Sequence, residues 1–221
     1  RTTIEAIWQG WRRYIDDRLE GGSGAGARKT NEQGPIDSLC PVNLPVIPLG
    51  INTSDFVSRT SPALRQRQRQ QLQIPDDAVL ILAHGRHSYY SKAHPLPLFQ
   101  AVERVAKREA KPIHLALYGY HPTERVGEEF RNLAHDICTT ANVHFIDNSD
   151  QTFADGLWAA ADILDSLADN IQETFGLAPV EAMACGLPVI ASDWDGYRET
   201  IRHQTDGFLI RTTAPDAGMG E

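Results

Sequence analysis

With 221 residues and 41% hydrophobic side chains, the chain can fill one good core and part of a second. A formal net charge of −8 with no basic face argues against a nucleic-acid partner, and no apolar run approaches the roughly twenty residues of a transmembrane helix. Residues 1–20 mix charges throughout, unlike a signal peptide, and Cys40, Cys138 and Cys185 are odd in number and widely spaced, which fits a reducing cytoplasm without disulfides or a zinc site.

Taken in chain order, Ile4, Ile7, Trp8, Trp11, Ile15 and Leu19 predict an amphipathic helix over residues 4–19. Residues 20–37, opening with Gly-Gly-Ser-Gly-Ala-Gly-Ala, read as a flexible connection, and Leu44–Ile47 reads as a short strand running into Pro48. From about Ser54 the pattern becomes regular. Strands are expected at Val79–His84, Ile113–Tyr118, Val143–Ile146, Ile163–Leu167, Val189–Ala191 and Gly207–Ile210. Helices are expected at Leu64–Leu72, Leu96–Glu109, Arg125–Ala141, Phe153–Ala161 and Leu177–Cys185. This alternation predicts an α/β fold, a Rossmann-like parallel sheet flanked by helices with right-handed crossovers. Its C-terminal edge would gather Gly85-Arg86, Gly119-Tyr120, Asp147, Asp169-Asn170 and Gly176, where such sheets bind ligands. The spacing of His84, His87 and His94 matches no metal motif; most histidines are expected on the surface or satisfied in loops, and His144 in a strand as structural.

The densest signal runs from Glu173 to Glu199. Pro179 suits the first turn of a helix, Gly186 suits the position past its end, and Pro188 prevents continuation. The first free N–H groups of that short helix belong to Gly176, Leu177 and Ala178, which carry no bulk to keep an anion away. Glu181 is placed in the first turn, either as a complement to the helix dipole or as an acceptor for sugar hydroxyls; Glu173 lies just before the turn. Asp193 and Asp195 read as a turn that caps the segment Tyr197-Arg198-Glu199.

Glu173, followed by Phe175-Gly176 and, after seven intervening residues, by Glu181-Ala182-Met183-Ala184-Cys185-Gly186-Leu187-Pro188-Val189, resembles the E-x7-E signature of retaining GT-B glycosyltransferases of family four, also called group 1. Two further segments resemble that family in the expected order. Val46-Ile47-Pro48-Leu49-Gly50-Ile51-Asn52 is similar to its interdomain segment, with Asn52 in place of the usual Asp. Leu82-Ala83-His84-Gly85-Arg86 is similar to its strand ending in Gly-Arg, with Lys92 six residues on and Ala93-His94 where a Gly is common.

The resemblance implies a nucleotide-diphosphate sugar as donor, no metal, and Arg86, Lys92 and Glu173 as the catalytic set. Arg86 and Lys92 would hold the diphosphate beside Gly85 and the N–H groups of Gly176, Leu177 and Ala178; Glu173 would meet sugar hydroxyls and Glu181 the ribose. The base would rest on the loops after Tyr118 and Ile146. Residues 1–47 are expected to be the remnant of an N-terminal acceptor domain and 48–221 the donor domain, truncated at its C-terminus and inactive alone. The acceptor would be a glycan, a lipid-linked glycan or a small molecule, in the cytoplasm or peripherally at the inner membrane face. The alternatives are a non-catalytic nucleotide-sugar binding module, marked by loss of transfer in a two-domain parent, and a GT-B epimerase, whose motifs differ from this window. A flavodoxin-like regulator would need an Asp where the chain has Gly85-Arg86.

Overall fold

The computed structural model describes residues 49–149, 153, 155–169, 175–194 and 196–212. The expected helix over 4–19, the connection 20–37, the strand at 44–47 and Glu173 lie outside the described residues. All described elements fall within the unit Gly50–Glu221.

Six strands form one sheet: β1 Val79–Arg86, β2 Ile113–Tyr120, β3 Asn142–Asp147, β4 Ile163–Ser166, β5 Val189–Asp193 and β6 Gly207–Arg211. Every pairing is parallel and the order is β3-β2-β1-β4-β5-β6. The helices are α1 Ser54–Val57, α2 Pro62–Gln71, α3 Leu96–Ala106, α4 Glu124–Ile137, α5 Gly156–Ala160, α6 Leu177–Ala184 and α7 Tyr197–Thr200, with a 3-10 turn at Ser58–Thr60. The six strands and five helices expected from about Ser54 onward are present. The largest boundary difference is at α4, which ends at Ile137 because the chain must turn at Cys138 to enter β3.

Strand alternation sorts the core into two layers. Leu80, Leu82, Ala116, Tyr118, Leu164, Val189 and Trp158 pack together on one face of the sheet. Ala83, Ile113, Leu115 and Leu117 pack with Phe99 and Val102 of α3 and Val126 and Phe130 of α4 on the other. Burial on both faces explains why the central strands read as apolar runs. Local chemistry fixes the helix starts: Ser61 Oγ accepts from Leu64 N at 3.1 Å ahead of α2, and Thr123 Oγ1 from Val126 N at 3.3 Å ahead of α4. Among the described residues no helix is long and apolar enough to cross a membrane.

One buried cation ties the N-terminal ends of the central strands together. Arg69, 1% exposed, donates to the carbonyls of Ala160, Pro75 and Ala78 and to Asp162 Oδ2 at 2.6 Å. The same carboxylate oxygen accepts from Leu80 N at 2.8 Å, while Arg65 holds Asp162 Oδ1 and the carbonyls of Ala159, Ala160 and Ala161. Two cations thus satisfy the end of α5, where the helix dipole favours them. Arg69→Met removes the buried cation paired with Asp162 and its hydrogen bonds to the Ala160, Pro75 and Ala78 carbonyls, so urea unfolding is expected to show a loss of about 3 kcal/mol, against little change for the exposed Arg125→Ala.

Candidate functional site: a crevice between the ends of β1 and β4

From β1 the chain winds outward through β2 to β3, and from β4 it winds the other way through β5 to β6. The loops leaving β1 and β4 therefore diverge, and a crevice opens between them at the strands' C-terminal ends. A cavity of about 350 Å³ lies there, lined by Arg86, Lys92, Asp165, Ser166 and Asp169 among others.

The loop after β1 begins at Gly85, whose φ of +133° is a region that side chains disfavour. A Cβ on the neighbouring Gly119 would overlap the Gly85 carbonyl, so both strand ends depend on glycine to run this close. The carbonyl of the buried Ser88 accepts from Lys92 N and Ala93 N at 3.1 and 3.2 Å, which curls the loop and turns Lys92 back toward β4. Two bonds stitch the loop to the one after β4: Asp169 N donates to Lys92 O at 3.0 Å, and His94 N to Asp169 Oδ2 at 3.0 Å. Arg86 is exposed, and its guanidinium reaches Ser91 O at 3.3 Å. Lys92 Nζ donates to Tyr197 Oη at 3.0 Å, and that hydroxyl lies 2.9 Å from Ser166 Oγ.

α6 enters the same region. Its N-cap, Gly176, has φ +75° and offers no side-chain cap, leaving the helix N-terminus with backbone alone. The ring of Tyr197 packs where a Gly176 side chain would be. At the far end Gly186 N donates to Met183 O and Leu187 N to Ala182 O, a Schellman turn with Gly186 at φ +76°. Glu181 is not in the first turn as expected: α6 starts at Leu177, which puts Glu181 one turn further in, beyond the dipole's reach. Its carboxyl is pushed up by burial, partly offset by Arg59.

Burial dominates the electrostatics of the cavity floor. It drives the Asp165 carboxyl up to about 7, against the opposing pull of the Leu167 N–H and the Lys92 charge. His87 is lowered to about 3 by burial and by His121 and His84, and His84 is lowered by burial and by Lys92. The expectation of surface or loop-satisfied histidines is wrong here: His84 stacks on Tyr118 with centroids 5.2 Å apart, His87 is buried, and among the described residues His84 Nδ1 and His87 Nε2 have no hydrogen-bond partner. His144, expected to be structural, bonds to His114 at 2.9 Å between their ring nitrogens.

Of the residues singled out in the sequence, Gly85 and Arg86 stand at the end of β1 with Lys92 in the loop that follows, and Tyr197 links Lys92 to Gly176 ahead of α6; Leu177 and Ala178 open that helix and do not line the cavity. Tyr118 and Ile146 do not present side chains to the crevice, because both are packed in the core. Asp193 pairs with Arg198 at 2.7 Å instead of capping α7, whose N-cap is Gly196. Asp169, expected at the sheet's C-terminal edge, lines the cavity, whereas sequence reading missed Asp165, Ser166 and Tyr197. A carboxylate inside the apolar strand β4 was the available signal for Asp165; Tyr197 gave none.

The sequence matches the family model of glycosyl transferases group 1 over residues 65–218. The chain belongs to that family. It is 26% identical over 176 residues to the uncharacterized glycosyltransferase MJ1607 of Methanocaldococcus jannaschii, covering 78% of this chain and 42% of the relative. Among solved structures it resembles Anabaena HepE in complex with UDP-glucose, with a TM-score of 0.61, 24% identity and coverage of 74% of this chain and 42% of that one. It also resembles WaaG, a glycosyltransferase involved in lipopolysaccharide biosynthesis, with a TM-score of 0.58, 26% identity and the same two coverages. The sheet is thus the α/β, Rossmann-like fold of GT-B glycosyltransferases, and the chain spans about four-tenths of the length of the curated relatives it matches.

Asp165 carries a pH signature. A carboxyl raised in the folded state contributes stability that is full below the unfolded value near 3.8 and is lost as pH rises through about 7. Asp165→Asn removes this dependence. In urea unfolding the variant is expected to gain on the parent by about 2–3 kcal/mol between pH 5 and pH 8; a constant difference across that range would place the carboxyl in a less costly environment.

Proposed function

We propose that this chain carries the donor site of a retaining glycosyltransferase of family four, which moves a sugar from a nucleoside-diphosphate sugar to a glycan, lipid-linked or small-molecule acceptor. The observation that carries this reading is the placement of Arg86 and Lys92 on the β1/β4 crevice, with Tyr197 between Lys92 and Gly176, the N-cap of α6. Family membership and the UDP-glucose bound to HepE support it.

In this reading the chemistry is charge stabilisation. Departure of the nucleoside diphosphate leaves an oxocarbenium-like sugar and concentrates negative charge on the leaving oxygen. Arg86 and Lys92 supply two cations, and the N–H groups at the start of α6 supply fixed dipoles without reorganisation. These groups would take the role that a divalent metal plays elsewhere. Glu173 would bind sugar hydroxyls and Glu181 the ribose, while the backbone after Tyr118 and Ile146 would seat the base. The acceptor would be held largely by a preceding domain of the whole protein, so this chain alone is expected to bind donor and transfer nothing.

Calorimetric titration of the 221-residue chain with UDP, GDP and ADP, with EDTA or with magnesium, tests the reading. One nucleotide is expected to bind equally in both, with Arg86→Ala weakening it about tenfold or more and Glu181→Ala by a smaller factor. Binding that appears only with magnesium, or survives Arg86→Ala unchanged, would overturn it.

A further inference from the structure

Tyr197 is fully buried yet belongs to a four-residue helix at the edge of the crevice. Its contacts run three ways. The hydroxyl accepts from Lys92 Nζ at 3.0 Å and sits 2.9 Å from Ser166 Oγ. An ammonium has only protons to give, so the tyrosine oxygen accepts there, and between the two hydroxyls either can donate. The ring edge also fills the space beside Gly176, the N-cap of α6.

One side chain therefore touches the cation from the β1 loop, the floor of the crevice at the end of β4, and the helix end. A lysine side chain has four rotatable bonds and loses about 2 kcal/mol of rotamer freedom when held. Held on Tyr197, the Lys92 ammonium has one direction fixed. We propose that Tyr197 is a positioning residue of the donor site, its hydroxyl holding the Lys92 ammonium in register with the N-terminus of α6 so that both meet the same diphosphate. The inference rests on the donor-site reading above and adds a residue to it. Ser166 is part of the device, since its hydroxyl is hydrogen-bonded to that of Tyr197.

The test is a double-mutant cycle read by calorimetry on the same chain, using whichever of UDP, GDP or ADP the parent binds. Tyr197→Phe keeps the ring against Gly176 and removes only the hydroxyl. It is expected to weaken binding about five- to tenfold in the parent, and to change nothing in a Lys92→Met background, because the hydroxyl acts through the lysine. A general structural defect would weaken binding by the same factor in both backgrounds, and that result, or an unchanged affinity for Tyr197→Phe alone, would overturn the proposal while leaving the donor reading intact. If Tyr197→Phe fails to fold, Ser166→Ala serves in the same cycle with the same pattern expected at smaller amplitude, and an equal loss in both backgrounds again refutes it. A parent chain that binds none of the three nucleotides overturns the donor reading, and this inference with it.

Discussion

The reversal of winding between β1 and β4 is the constraint from which the rest of the site follows. Right-handed crossovers oblige the connection after β1 to leave toward one face of the sheet. α3, which it carries, packs with α4 on the layer of Leu115 and Leu117. The connection out of β4 leads to α6, whose Ala182 packs on the opposite layer with Leu164 and Val189. No side chain has to be arranged to make the gap; it exists because adjacent strands send their chains apart. What the sequence must supply is closure of the gap's rim at a useful width. That closure is polar: Asp169 bridges to the backbone of residues 92 and 94, and Tyr197 bridges Lys92 to Ser166.

Opposite ends of the sheet use buried charge differently. At the N-terminal ends of β1 and β4, Arg69 and Asp162 are mutually paired and surrounded by carbonyl and N–H partners, so the desolvation cost is offset and the network is rigid. At the C-terminal ends Asp165 is buried without a matched cation pair, and burial raises it toward neutrality. The first arrangement fixes two strands and a helix; the second leaves a carboxyl raised toward its neutral form on the floor of the crevice. Such division between a closed structural end and an open polar end is what a parallel sheet permits, since all its strands point the same way.

The fold was legible because its signals are periodic or local. Continuous apolar runs marked the buried strands, Pro179 marked the first turn of α6, and Gly186-Leu187-Pro188 marked its end. The candidate site was legible only where its chemistry is carried by residues next to one another in sequence: Gly85-Arg86 at a strand end, and Gly176 to Ala178 at a helix start. Tyr197 was not legible, because its role depends on meeting Lys92, 105 positions away in sequence, and on a void left by a missing Cβ at Gly176. Tyr118 and Ile146 pack their side chains in the core, which leaves to the backbone of the loops after them the contact that the resemblance implies. Glu181 was read into the first turn of a helix already expected to start at Leu177; counted from that start it lies one turn further in, beyond the dipole's range.

A chain with net charge −8 would seem a poor host for a diphosphate, yet the long-range field matters for encounter rather than for the bound state. Exposed charges are screened within about 10 Å at moderate salt, whereas groups inside a crevice are screened much less. Several of the acids are spent on local partners: Asp162 on Arg65 and Arg69, Glu103 on the N–H groups of Thr140 and Ala141, Asp206 on Arg202. Near the crevice Asp165 is held toward its neutral form below pH 7, and His84 and His87 are kept from charging by burial. The charged side chains that remain on the crevice wall are Arg86, Lys92 and Arg211, with the carboxylate of Asp169 facing them. Anion selectivity in such a site is a property of which charges are left uncancelled within a few ångströms, and the buried groups around the crevice act mainly by staying neutral.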